Sequence, residues 1–146
     1  MIVTIFMAIF GSLLGIHGMS EWYPSLIKPL DIPLWLFSIV QAFYYIICVS
    51  IIYRLLTFVV DNASQKFSLS LFTGMMFLAE LWNYFFLGLK SVSLGFFSIL
   101  IFSLIAVLVY FNLKHTDRLS SIILTPYLLW LIIDIFWLFR LWQANS

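Results

Sequence analysis

Residues 94–113 read LGFFSILIFSLIAVLVYFNL. No charged side chain interrupts them, and as a helix they reach about 30 Å, the thickness of a bilayer's hydrocarbon core. Outward from this stretch the pattern repeats. Apolar runs cover residues 2–19, 34–54, 69–89, 93–113 and 119–142, with Glu80 inside the third and Asp134 and Arg140 inside the fifth. Polar connections separate them: Glu21 to Pro33, Asp61-Asn62-Ala63-Ser64-Gln65-Lys66, Lys90-Ser91-Val92-Ser93, and Lys114-His115-Thr116-Asp117-Arg118. Only helices and closed barrels satisfy their backbones in lipid, and the strict alternation of barrel strands is absent. The reading is an all-α membrane protein, a single domain over 1–146 built as a five-transmembrane-helix bundle.

Composition points the same way. Of the 146 residues 64% are hydrophobic and 9% charged, too few charges to form a water-facing shell. A net charge of +1 with no basic stripe excludes a nucleic-acid partner. The first run lacks a basic leader and a small-residue cleavage site, so it reads as a span rather than a signal peptide. Arg54, Lys66, Lys114 and Arg118 fall on one side of the membrane and Lys28, Lys90 and Arg140 on the other, which leaves orientation open. Cys48 is the lone cysteine and cannot form an internal disulfide. His17 and His115 have no partners at ligand spacing, so no metal site is expected. No nucleophile–base pair or phosphate-cradling glycine loop is visible, and the chain does not read as an enzyme.

Three features carry chemistry. Glu80 and Asp134 are carboxylates placed near mid-depth, where a charge is costly and the group must face the bundle interior and find a partner. They read either as polar groups of a cavity or as acids satisfied by an interhelical Tyr or Trp donor. Residues 20–33 form a loop stiffened by Pro24, Pro29 and Pro33 and rich in aromatic side chains at Trp22 and Tyr23. That loop reads as an interfacial anchor or as a lid across the bundle mouth. Trp82, Tyr84, Tyr127 and Trp130 lie inside spans, where indole and phenol groups need partners. They suit helix packing or a flat aromatic pocket. Weaker signals are the Gly11-x-x-x-Gly15 spacing of helix-packing faces and a loose cholesterol-type pattern over Leu108 to Lys114.

These motifs, taken in order, resemble the TspO/MBR family of tryptophan-rich sensory and translocator proteins. Trp22-Tyr23 followed by Lys28-Pro29 and Pro33 is similar to the family's W-Y-x-x-L-x-K-P-x-W-x-P-P loop. Trp82 with Phe86-Leu87-Gly88 is similar to its W-x-x-x-F-F-G, and Pro126-Tyr127-Leu128-Leu129-Trp130 to its P-Y-x-x-W. The resemblance implies a five-helix bundle, often homodimeric, with a cavity closed by the first loop. It implies a receptor, sensor or transporter that binds porphyrins, other tetrapyrroles or small apolar ligands without covalent attachment. Its expected location is a bacterial cell membrane in preference to the mitochondrial outer membrane.

By position the implied ligand-binding residues are Tyr23, Pro33, Gln41, Trp82, Phe86, Trp130 and Asp134, with Glu80 as a further polar group and Trp22, Lys28 and Pro29 in the lid. The chain also departs from the family. Asp31 replaces the tryptophan of the lid motif, Gln41 a cavity tryptophan, Ala79 an asparagine, Asp134 a small residue and Leu138 a later asparagine. An ionised Asp134 would repel porphyrin propionates, and its protonation would remove the repulsion. Two other readings stand beside tetrapyrrole binding: a proton-coupled or cationic-substrate transporter using Glu80 and Asp134, and a membrane scaffold with a vestigial pocket.

Overall fold

The computed structural model describes residues 22–30 and 32–146. The expected first span over 2–19, with Gly11, Gly15 and His17, lies outside the described residues, as do Glu21 and Asp31. The rest is helical, with no strand among the described residues. A short 3-10 turn, Tyr23–Ser25, precedes four long helices: α1 Leu34–Phe58, α2 Asn62–Asn83, α3 Val92–Thr116 and α4 Arg118–Asn145. A π-helical turn, Tyr84–Gly88, continues α2, and its wider hydrogen bond runs from the Leu89 N–H to the Tyr84 carbonyl at 2.8 Å.

The helices overrun their apolar runs. The polar connection expected over 54–68 shrinks to Val59–Asp61, because its polar side chains are satisfied on helical turns. Asp61 caps α2 by accepting from the Ser64 N–H at 2.9 Å. Gln65 Nε2 donates to the Leu55 and Val59 carbonyls at 2.9 and 3.1 Å and so closes the end of α1. Arg54 donates from Nε and Nη2 to the two carboxylate oxygens of Asp117 at 2.8 and 2.9 Å, and Ser120 Oγ donates to Asp117 Oδ2 at 2.5 Å. The Arg54 guanidinium is the main reason that the Asp117 carboxyl is held below its usual range. Ser68 Oγ donates to Asn112 Oδ1 at 2.7 Å and ties α2 to α3 nearby. These contacts gather at one end of the bundle, opposite the Trp22–Pro33 segment.

Helices α1, α3 and α4 are long and apolar enough to cross a membrane. Helix α2 is not among them, which differs from the span expected over 69–89. Its first turns carry Asn62, Ser64, Gln65, Lys66, Ser68 and Ser70, and the π turn divides its apolar part. The outward faces of α1 and α3 are apolar along most of their length. Trp35, Ile39, Phe43, Ile46, Tyr53 and Leu56 form an exposed stripe along α1, and Ile101, Leu104, Leu108 and Phe111 one along α3. Apolar surface on this scale requires a lipid solvent. The chain is a membrane protein in contact with the bilayer.

Each helix packs on its neighbours in sequence, and α1 closes the ring by packing on α4. The α3–α4 and α2–α3 interfaces are close, whereas the α1 backbone stands farther from α2 and α4. Large rings of Phe37, Tyr44 and Tyr45 bridge that gap. Small residues do the reverse between the π turn and α3. A Cβ on Gly95 would stand 2.6 Å from Phe86 Cδ2, so only glycine lets the π turn approach α3 this closely.

Candidate functional site

The π turn and the end of α4 point aromatic side chains at the Trp22–Pro33 segment, which folds over that end of the bundle. Phe86 is 1% exposed and sits at the centre. Trp82 stacks on it with centroids 5.5 Å apart, and Trp22 and Trp137 meet it edge-on at 5.4 and 5.8 Å. Trp137 also meets Phe37 at 4.9 Å and Tyr23 at 6.1 Å, and Tyr23 meets Phe37 at 6.4 Å. Six rings from the loop, α1, α2, the π turn and α4 therefore form one cluster.

Trp22 and Tyr23 enter this cluster, so the loop is more than an interfacial anchor. Its outer part is fastened as well. Ile27 donates its N–H to Asn145 Oδ1 at 3.0 Å, and Asn145 Nδ2 donates back to the Ile27 carbonyl at 2.8 Å. Lys28 Nζ lies 5.1 Å from the centre of the Tyr23 ring, a cation–π contact. Pro29 and Pro33 are exposed, and Pro33 opens α1 as its N-cap residue.

Below the rings lies a polar layer. Glu80, 4% exposed, accepts from the Tyr45 hydroxyl at 2.6 Å and from Asn83 Nδ2 at 3.4 Å. Gln41 stands one turn before Tyr45 on α1, beside its hydroxyl. Glu80 is thus an acid satisfied by an interhelical tyrosine. Asp134 is not: at 7% exposure its Oδ1 has no hydrogen-bond partner among the described residues, and the same holds for the buried indole nitrogens of Trp82 and Trp137. No hydrogen bond joins Glu80 to Asp134. Both lie near Tyr127, whose ring meets that of Tyr44 across the α1–α4 interface with centroids 4.6 Å apart and planes tilted by 34°.

At about 1.5 Å per residue, Asp134 stands roughly 24 Å along the 28-residue α4, close to its middle, whereas Glu80 stands roughly 27 Å along α2, toward its loop end, because α2 starts early at Asn62. Asp134 lies on the buried stripe of α4 formed by Leu124, Leu131, Trp137, Leu138 and Leu141.

Of the residues expected from the sequence, Trp22, Tyr23, Trp82 and Phe86 come together. Gln41 and Glu80 join through Tyr45, and Lys28 lies against Tyr23. Trp130 is half-buried and makes no ring contact with the cluster among the described residues. Trp137, two turns further along α4, meets Phe86, Phe37 and Tyr23 instead. Phe37, Tyr45, Asn83, Gly95, Trp137 and Asn145 were not singled out by sequence reasoning. Only the i, i+3 spacing of Asp134 and Trp137 could have suggested one of them.

A sequence model of the TspO/MBR family matches residues 1–143, nearly the whole chain. The chain belongs to the TspO/MBR family. No curated protein sequence shows a significant match to it. Membership places the chain among membrane sensor and transporter-type proteins, a family of receptors and transporters rather than enzymes. In TspO/MBR terms, the described aromatic cluster joins the lid-loop motif at Trp22-Tyr23 to the third-run motif at Trp82 and Phe86.

Proposed function

We propose that the protein is a receptor or transporter of five transmembrane helices. It binds a small, flat, largely apolar ligand between its helices, beneath the Trp22–Pro33 lid, and the leading ligand class is a tetrapyrrole. The observation that carries this reading is the buried ring cluster whose indole N–H groups on Trp82 and Trp137 have no partner among the described residues. Buried polar atoms without partners are rare in a merely structural core.

Ligand pockets pair apolar and aromatic walls with a few polar groups, and this one has both. Tyr23, Trp82, Phe86 and Trp137 supply ring faces. Gln41 and Asp134 supply polar edges, with Glu80 held behind them by Tyr45. Pro33 and Trp130 take places at the rim. A flat ligand enters by replacing the contacts that Trp22 and Tyr23 make with Phe86 and Trp137, so opening of the lid precedes binding.

Titration of the detergent-purified protein with protoporphyrin IX tests the reading through tryptophan fluorescence. Saturable quenching that is lost in Trp137→Phe is expected. Quenching without saturation, equal to that of a non-binding membrane protein, would remove the pocket and leave the scaffold.

A further inference from the structure

We propose that Asp134 makes this pocket selective for flat aromatic cations. The inference rests on the pocket reading above and adds the ligand's charge to it.

Asp134 is buried, and its Oδ1 has no partner among the described residues. The described basic side chains lie elsewhere. Arg54 is paired with Asp117 at the opposite end, Lys28 lies over Tyr23 in the lid, and Lys66, Lys90, Lys114, His115, Arg118 and Arg140 are exposed. The titratable group tied to Asp134 is Tyr127 on its own helix, and around Tyr127 in turn stand Tyr44, Tyr45 and Cys48 on α1 and Glu80 on α2. None of them can carry a positive charge, so among the described residues Asp134 has no countercharge and a cationic ligand would supply one.

The walls suit a cation as well. Trp137 follows Asp134 by three residues, and both lie on the buried stripe of α4. The negative faces of Trp and Tyr rings attract a cation most strongly where water is excluded. Glu80 already accepts two hydrogen bonds, so Asp134 is the carboxylate left to pair with an incoming charge. A buried ion pair completed by a ligand removes the penalty of an uncompensated charge, whereas a neutral ring of the same shape leaves it in place. An anionic group placed beside Asp134 is disfavoured, so a porphyrin would bind with its propionates turned away from that carboxylate.

The test compares two probes of one shape, 10-methylacridinium and neutral acridine, at pH 8. Both are titrated into the protein in a non-ionic detergent, with empty micelles as the partition control. The wild type is expected to bind the cation at least ten-fold more tightly than acridine. Asp134→Asn should bring that ratio to about one, and Asp134→Glu should restore most of it, which separates lost charge from lost folding. Equal affinities in the wild type, or a preference that survives Asp134→Asn, would overturn the proposal while acridine and protoporphyrin binding keep the pocket. Saturable binding of neither probe nor protoporphyrin would overturn both.

Discussion

Gly95→Ala is the smallest perturbation that reaches the ring cluster. The new Cβ would stand 2.6 Å from Phe86 Cδ2, 3.0 Å from its Cβ and 3.1 Å from its Cγ. Carbon atoms pack at about 3.5–4.0 Å, so Phe86 must move by roughly 1 Å. Because its Cβ is among the atoms met, turning the ring is not enough and the π turn itself must shift. Overpacking of this kind costs about 1–3 kcal/mol. The shift also loosens the Trp82 stack, and an aromatic pair contributes about 0.5–1.5 kcal/mol. Against this, alanine is favoured over glycine in a helix by about 0.8–1.0 kcal/mol.

The net expectation is a loss of about 2 kcal/mol, with weakened protoporphyrin quenching. Gly74→Ala on α2 is the control, because a Cβ there would meet nothing within 4 Å. At that position the helix preference acts alone, and a gain of up to about 1 kcal/mol is expected. Unfolding of both variants in mixed micelles, followed by tryptophan fluorescence, gives the two signs directly. A Gly95→Ala protein as stable as the wild type, with undiminished quenching, would refute the close approach of Phe86 to α3.

Three other outcomes follow from particular contacts. Tyr45→Phe removes the shorter of the two hydrogen bonds to buried Glu80 and should lower stability by about 1–3 kcal/mol, while Tyr45→Phe with Glu80→Leu should recover part of the loss; chemical unfolding of the two variants decides it. Asn145→Ala frees both backbone groups of Ile27, so limited proteolysis within residues 24–33 should accelerate several-fold while cleavage elsewhere does not. Arg54 holds the Asp117 carboxyl below its ordinary value of 3.8, so the pair's stabilisation is complete above that pH and is lost as pH falls below it through the folded value. Thermal unfolding between pH 5 and about pH 2.5 should show this acid slope in the wild type and a shallower one in Asp117→Asn.

The sequence by itself determined that the solvent is lipid, where the apolar runs lie, that residues 22–33 form a stiff aromatic loop, and that Glu80 and Asp134 are the buried acids to explain. Run length, proline and charge are local properties, and they survive any arrangement of the helices. Which face of each helix turns inward was not legible along α1 and α3. Lipid and protein interior are equally apolar, so their sequences carry almost no amphipathic signal. Hence Phe37 on α1 went unnoticed. Tertiary structure also decided every polar partnership that separates the two acids. Tyr45 meets Glu80 across 35 residues, Arg54 meets Asp117 across 63, and Asn145 meets Ile27 across 118. A side chain's hydrogen-bonding capacity is written in the sequence, but its partner depends on which helices close the ring. That closure leaves Glu80 satisfied and Asp134 without a partner among the described residues.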